Sequence, residues 1–254
     1  MSTSDSRLRC LIITIGVIFI VLTLFITLAY LLRRPGYISP PSTDCERPIL
    51  YSTTYDFDYR NKSHEYQNLQ SPIDFFRLSL SWSPTFCGRK SEKDRQHFFQ
   101  CYHRLKFIVH GLWPNTRKTN ETNANLRRSH PRNCRNEKMM SLDVIRKYFC
   151  LMPSENLMQA EWEKHGTCYW QTPEEYFSQI SSLYTKIRLP NDLEEILSNS
   201  TISKRSRRQM IKDLFLKINP ELQSDQIDVQ MVNRGKLLKE VAFCYDQHFN
   251  HTTC

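Results

Sequence analysis

From Cys10 to Leu32 the chain reads CLIITIGVIFIVLTLFITLAYLL, without one charged residue. In a helix these 23 residues span roughly 35 Å, enough to cross a hydrocarbon core. Such a run is set apart from any water-soluble core, so the chain is read as a short tail (1–9), a signal-anchor helix (10–32), a stalk (33–44) and a folded domain (45–254). The alternative for 10–32 is a cleaved signal peptide, whose apolar region is usually about 7–15 residues and ends in a small-residue cleavage site; no such site follows here. The stalk, RRPGYISPPSTD, is rich in proline and serine and has no apolar period. Arg7 and Arg9 on one flank of the apolar run are matched by Arg33 and Arg34 on the other, so charge alone does not orient it.

Cysteines and sequons supply the orientation. Eight cysteines follow the apolar run, with no C-x-x-C pair that would indicate zinc or a redox dithiol. An even set of this kind points to disulfides in an oxidising compartment. Four N-x-[ST] sequons, at Asn61, Asn120, Asn199 and Asn250, lie on the same side. The expectation is a single-pass type II glycoprotein with a lumenal or extracellular domain, or a secreted protein if the signal is cleaved.

Strand signals fall at 75-FFRLSLSW-82, 105-LKFIVHGLW-113, 226-QIDVQMV-232 and 238-LKEVAFCY-245, the last two joined by an Asn233–Lys236 turn. Helix signals fall at 141–152, at 172–187 with Thr172 as cap and Pro173 in the first turn, and between Ser203 and Pro220. Strands at both ends with helices between predict an α+β fold: a central antiparallel sheet with several helices packed around it, stapled by disulfides.

Two segments carry chemistry. In 110-HGLWP-114 an imidazole sits at the mouth of an apolar strand, followed by an indole. In 161-EWEKHGTC-168, read as helical, Glu161, Lys164 and His165 share one face. Two histidines with a carboxylate and a cation are what metal-independent phosphodiester cleavage requires: one imidazole takes the proton of the attacking hydroxyl, the other donates to the leaving oxygen, and the cation steadies the phosphoryl oxygens. The bland reading of the second segment is a solvated helix end with a Glu–His contact.

HGLWP and EWEKHGTC resemble the two active-site segments of the ribonuclease T2 family, in the same order with 55 residues between the histidines. Further similarity lies in 82-WSPTFC-87 and 238-LKEVAFCYD-246. The resemblance implies an endoribonuclease that cleaves single-stranded RNA through a 2′,3′-cyclic phosphate without a cofactor or metal. It implies His165 as general base, His110 as general acid, Glu161 and Lys164 as stabilisers of the pentacovalent phosphorus, and Trp113 as a base-stacking platform. It also implies the disulfides Cys87–Cys101, Cys134–Cys168 and Cys244–Cys254, leaving Cys45 and Cys150 either paired or free. Three positions depart from the pattern. Ala160 stands where many members have a phosphate-binding histidine, Asn115 where some have a base-reading aspartate, and Ser81 where a glutamine serves a second base site.

Other residues receive plainer readings. His103 beside Cys101 is set aside as a zinc ligand in favour of a disulfide for the cysteine. His64, His97, His130, His248 and His251 are read as solvated, Trp162 and Trp170 as core or rim, and Tyr102 as a minor candidate for a second stacking ring. The net charge of +9 suits a polyanionic partner. Arg117, Lys118, Arg127, Arg128, Arg132, Arg135 and Lys138 cluster after the first segment, opposed by Glu121 and Glu137, and read equally as a solubilising loop or an RNA-steering patch. No protein partner is indicated. Against the active enzyme stand two alternatives: a catalytically weak T2-like module for polyanion binding or signalling, and a membrane glycoprotein that binds polyanions through its basic face.

Overall fold

In the computed structural model, β1 (Phe75–Trp82) lies at the centre of the principal sheet, paired antiparallel with β2 (Phe107–Asn115) and β4 (Leu237–Tyr245); β3 (Ile227–Val232) flanks β4, giving the order β2-β1-β4-β3. The structure describes residues 45, 47–117, 129–191 and 193–254, with Thr23 and Tyr37–Ile38. The chain divides into units at residues 1–37 and 38–254. Of the first unit only Thr23, exposed within a helix, and Tyr37, in a strand, are described. Apart from Thr23 the expected anchor, and most of the stalk, therefore lie outside the described residues. Among the described residues no helix is long and apolar enough to cross a membrane.

Alternation explains the two faces of β1. Phe76, Leu78 and Leu80 are fully buried in the core with Val109, Leu112, Val241 and Phe243, each such side chain contributing about 1.5–3 kcal/mol of burial. Arg77, Ser79 and Ser81 point to the opposite face. The β3–β4 turn takes left-handed backbone at Asn233, Arg234 and Gly235 (φ 49°, 54° and 81°), where only glycine is free of Cβ strain.

The helices follow their caps. α1 (Ser83–Cys87), α2 (Glu92–Arg95) and α3 (Phe99–Tyr102) are too short to leave a period in the sequence; the Cys87–Cys101 disulfide closes them into one loop. α4 (Leu142–Tyr148) stops four residues short of the expected end, because Pro153 restricts the backbone before it and the 149–152 turn instead directs Leu151 O to accept from Val109 N–H at 2.9 Å. α5 (Glu155–Lys164) starts at Ser154, whose hydroxyl accepts from Leu157 N–H. α6 (Pro173–Tyr184) carries the Thr172/Glu175 capping box and buries Tyr176, Phe177, Ile180, Leu183 and Tyr184 along one stripe. α7 (Leu193–Ser198) precedes α8 (Lys204–Ile218), and the buried Arg207 of α8 donates to the carbonyls of Ile196, Asn199 and Gly235. The other disulfides are Cys134–Cys168, Cys244–Cys254 and Cys45–Cys150, the last settling the pair that the sequence left open.

Candidate active site

Two local irregularities build the site. Ser79 pairs with Gly111 and Leu80 with Val109, so His110 is the extra residue of a β-bulge in β2. A bulge frees a side chain from the alternation of its strand and re-aims it, here out of the core. Gly111 must follow, since a Cβ there would collide with the Glu161 carboxylate and the Trp113 indole nitrogen. The second irregularity ends α5. Glu161 and Lys164 lie in the last helical turn, but His165 is the C-cap (φ −125°, ψ −46°), not a helical residue as the sequence reading had it. Gly166 then opens a 3-10 turn (Gly166–Cys168), because a side chain there would strike the Trp162 ring and Tyr176. β2 is tied to α6 by Leu112 N–H donating to Tyr176 Oη at 3.1 Å, and the Gly166 turn packs on the same tyrosine.

These elements converge on the buried carboxylate of Glu161. Trp113 Nε1–H donates to its Oε2 at 2.7 Å and Lys164 Nζ to its Oε1 at 3.1 Å. His110 Nε2 lies 3.9 Å from Oε1 and His165 Nε2 3.7 Å from Oε2, so one carboxylate stands between both imidazoles. The Trp113 ring lies 5.1 Å from that of His110 and 5.6 Å from that of His165. All five line an open cleft of about 750 Å³ with Arg132, Lys239 and Glu240.

The two imidazoles differ electrostatically. Burial lowers the His165 pKa to about 3, with Arg132 and Lys164 acting in the same direction and Glu161 against it. Geometry agrees: Arg132 Nη1 is 3.2 Å from His165 Nε2, and an arginine N–H only donates, so Nε2 carries a lone pair. For His110 burial again works downward, but the hydrogen bond to Glu240 and the charges of Glu161 and Glu240 raise its pKa above the ordinary histidine value. Burial tends to raise Glu161, yet Lys164, the two imidazoles and the Trp113 N–H together hold it at about 2, so it is ionised.

Two contributors, Glu240 and Lys239, carry no local signal in the sequence, and a third, Arg132, stands there only as one of the basic cluster. Glu240 Oε1 accepts from His110 Nδ1 at 2.6 Å. Arg132 is fixed by Glu65, at 2.8 and 3.0 Å, and presents its remaining nitrogen to His165. Lys239 is the extra residue of a second bulge, opposite Gln230/Met231. Arg132 belonged to the basic cluster but nothing local distinguished it from Arg135, which is used structurally on Glu137 and on the carbonyls of Trp170 and Gln171. Lys118, Asn120, Glu121, Arg127 and Arg128 lie outside the described residues.

Other residues fall elsewhere. His130, read as solvated, lines the cleft and its Nδ1 accepts from Thr116 N–H. His251, also read as solvated, packs on Tyr245 with ring centres 4.7 Å apart. Trp162 and Trp170 are buried in the core. Tyr102 is exposed over a separate depression, outside the cleft. Cys101 is spent in its disulfide, and His103 stacks on Phe99. Ala160 and Ser81 line a second, more apolar cavity of about 400 Å³, with Trp82, Phe86 and Phe98; His110, Lys239 and Glu240 border both spaces.

A four-stranded antiparallel sheet with helices around it makes the domain α+β, and its paired histidines over a basic cleft suit acid–base chemistry on a phosphodiester. Residues 73–254 match the Ribonuclease T2 family. A probable ribonuclease of Haemophilus influenzae is 31% identical over 224 residues, covering 84% of this chain and 73% of that protein. A ribonuclease of Aeromonas hydrophila is 33% identical over 121 residues, 48% of this chain and 49% of that protein. Among solved structures, trichomaglin, an S-like ribonuclease, matches with a TM-score of 0.51 at 20% identity, over 72% of this chain and 92% of its own; this speaks to the fold. The chain belongs to the ribonuclease T2 family, and its activity is that of an endoribonuclease.

Proposed function

We propose that the cleft cuts single-stranded RNA by transphosphorylation, with His165 as base and His110 as acid. The observation that carries this is the opposite tuning of two imidazoles across one ionised carboxylate. Arg132 Nη1, which donates to His165 Nε2, turns to the phosphoryl oxygens as RNA enters, and the freed Nε2 lone pair takes the proton of the ribose 2′-hydroxyl. The 2′-oxygen bonds to phosphorus, and the bond to the 5′-oxygen breaks as His110 Nε2–H protonates that oxygen, leaving a 2′,3′-cyclic phosphate and a free 5′-hydroxyl. Lys164 balances charge on the phosphoryl oxygens, while Glu161 favours the imidazolium that each histidine passes through. Arg132 and Lys239 add positive charge along the path of the backbone. Trp113 offers a ring for a base, although its N–H is committed to Glu161.

Incubation of the protein with single-stranded RNA in EDTA tests this reading. Fragments ending in cyclic phosphate are expected. Binding without cleavage would favour the polyanion-binding module, which the intact pair of histidines argues against.

The same proposal extends to placement. The domain 45–254 is held on the lumenal or outer face of a membrane by the 10–32 segment, or is released if that segment is cleaved. Four disulfides and the exposure of Asn61, Asn199 and Asn250 support entry into the secretory pathway. A mass decrease on endoglycosidase treatment, with protease protection in intact microsomes, is the expected result; a cytosolic, unglycosylated domain would refute it.

A further inference from the structure

We infer that Glu240 is the positioning residue of the general acid, holding His110 in the tautomer and orientation that present Nε2 to the leaving oxygen. The inference rests on the assignment of His110 proposed above. It starts from register. β2 and β4 are both neighbours of β1, so their backbones are roughly 9–10 Å apart, too far for ordinary facing pairs. His110 is re-aimed by its bulge, Glu240 follows the Lys239 bulge, and the β1 residues beneath them, Ser79 and Ser81, are small. The two side chains therefore meet above β1, with Nδ1 and Oε1 2.6 Å apart.

The surroundings make Glu240 an oriented group. Its side chain is 2% exposed. Ser81 Oγ lies 3.4 Å from Oε1 and Lys239 Nζ 3.4 Å from Oε2; the Gln230 amide, with its nitrogen turned inward, adds a donor 3.3 Å from Oε2. An ionised carboxylate only accepts, so the shared proton at Oε1 is the Nδ1–H of His110, and Nε2 is the nitrogen left for proton transfer. Among the described residues, the other charged groups facing His110 are Glu161, 3.9 Å from Nε2, Lys164 beyond it, and Lys239, which lines the same cleft. Burying a carboxylate is costly unless it is paired. A purely structural role would be met by any neutral partner, whereas here the carboxylate faces the one imidazole that must stay protonated.

Kinetics and NMR on the full chain separate the possibilities. Glu240→Ala should lower kcat by about 10–100-fold with little change in KM, the size of loss seen when the carboxylate behind a metal-ligating histidine is removed. Glu240→Gln keeps an acceptor but removes the charge; it should retain more activity than Glu240→Ala and move the alkaline limb of the rate profile to lower pH, leaving the acid limb in place. Nitrogen shifts of the neutral His110 ring should report the Nδ1–H form in the wild type and a mixture in Glu240→Ala. In a His110→Ala background, Glu240→Ala should cost almost nothing further, since its effect passes through the imidazole. Full additivity of the two changes, or an unshifted alkaline limb in both Glu240 variants, would overturn the inference. If His110→Ala itself cleaved at the wild-type rate, the proposed chemistry would fail first, and separately.

Discussion

Glu161 touches or faces Trp113, Lys164 and both imidazoles, and its own ionisation is what lets two imidazoles sit close together without both losing their protons. His110→Ala and His165→Ala should each lower cleavage by about 10²–10⁴-fold while leaving thermal unfolding nearly unchanged, as loss of a positioned acid or base does. The pH profile of kcat/KM should be bell-shaped. The base must be deprotonated, so its lowered pKa sets an acid limb near pH 3; the acid must be protonated, so its raised pKa sets an alkaline limb above 6.5. An acid limb near the ordinary histidine value would show that His165 is not held neutral. Trp113→Ala should cost about 1–3 kcal/mol of stacking on a base. Because it also strips a donor from Glu161, kcat should fall as well as KM rise, which rate measurements at saturating RNA would resolve. Ala160→His should raise activity modestly, unless Lys239, which borders the same cavity, already supplies that charge. The five residues of the two motifs were legible because the spacing within each motif is local. Glu240, 130 residues from His110, and Arg132, whose partner Glu65 lies 67 residues away, become partners only through the sheet and the disulfide-tied loop.

α5 presents two different polar faces. Glu161 serves the cleft, whereas Glu163 is buried on the core side, where its Oε1 accepts from Gln159 Nε2–H at 2.7 Å. Burial, helped by Asp56, raises its pKa from 4.5 to about 7. Between these values the folded state binds more protons than the unfolded state, so this group's contribution is fully present below about pH 4.5 and is lost as pH rises through about 7. Glu163→Gln, neutral at all pH, should therefore raise Tm at pH 8 and change it little at pH 4, as calorimetry would record. An equal effect at both values would mean that Glu163 does not titrate in this range. At this scale, the long amphipathic helices and the four strands could be read from periodicity. The three short helices at 83–102 could not, having less than two turns each, and neither bulge leaves a sequence mark beyond the polar residue it displaces.

The whole molecule carries +9, and its cleft gathers Arg132, Lys164 and Lys239 around the reacting groups. Cleavage of long RNA should slow steeply as salt rises, log kcat/KM falling by about 0.7 per phosphate contacted for each decade of salt. A salt-independent rate would assign the basic surface to solubility alone. Class and architecture followed from strand and helix order. The Cys45–Cys150 link did not, because it joins the start of the domain to the turn after α4, a proximity set by packing.

The central claim is that the attacking oxygen belongs to the substrate's ribose. It is tested most directly with an oligodeoxynucleotide carrying a single ribonucleotide, incubated with the protein in EDTA. The account predicts one cut, on the 3′ side of that ribose, with the upstream fragment ending in a 2′,3′-cyclic phosphate, and no cut when the ribose is 2′-O-methylated. Cleavage at deoxy positions, or of the 2′-O-methyl substrate, would contradict it.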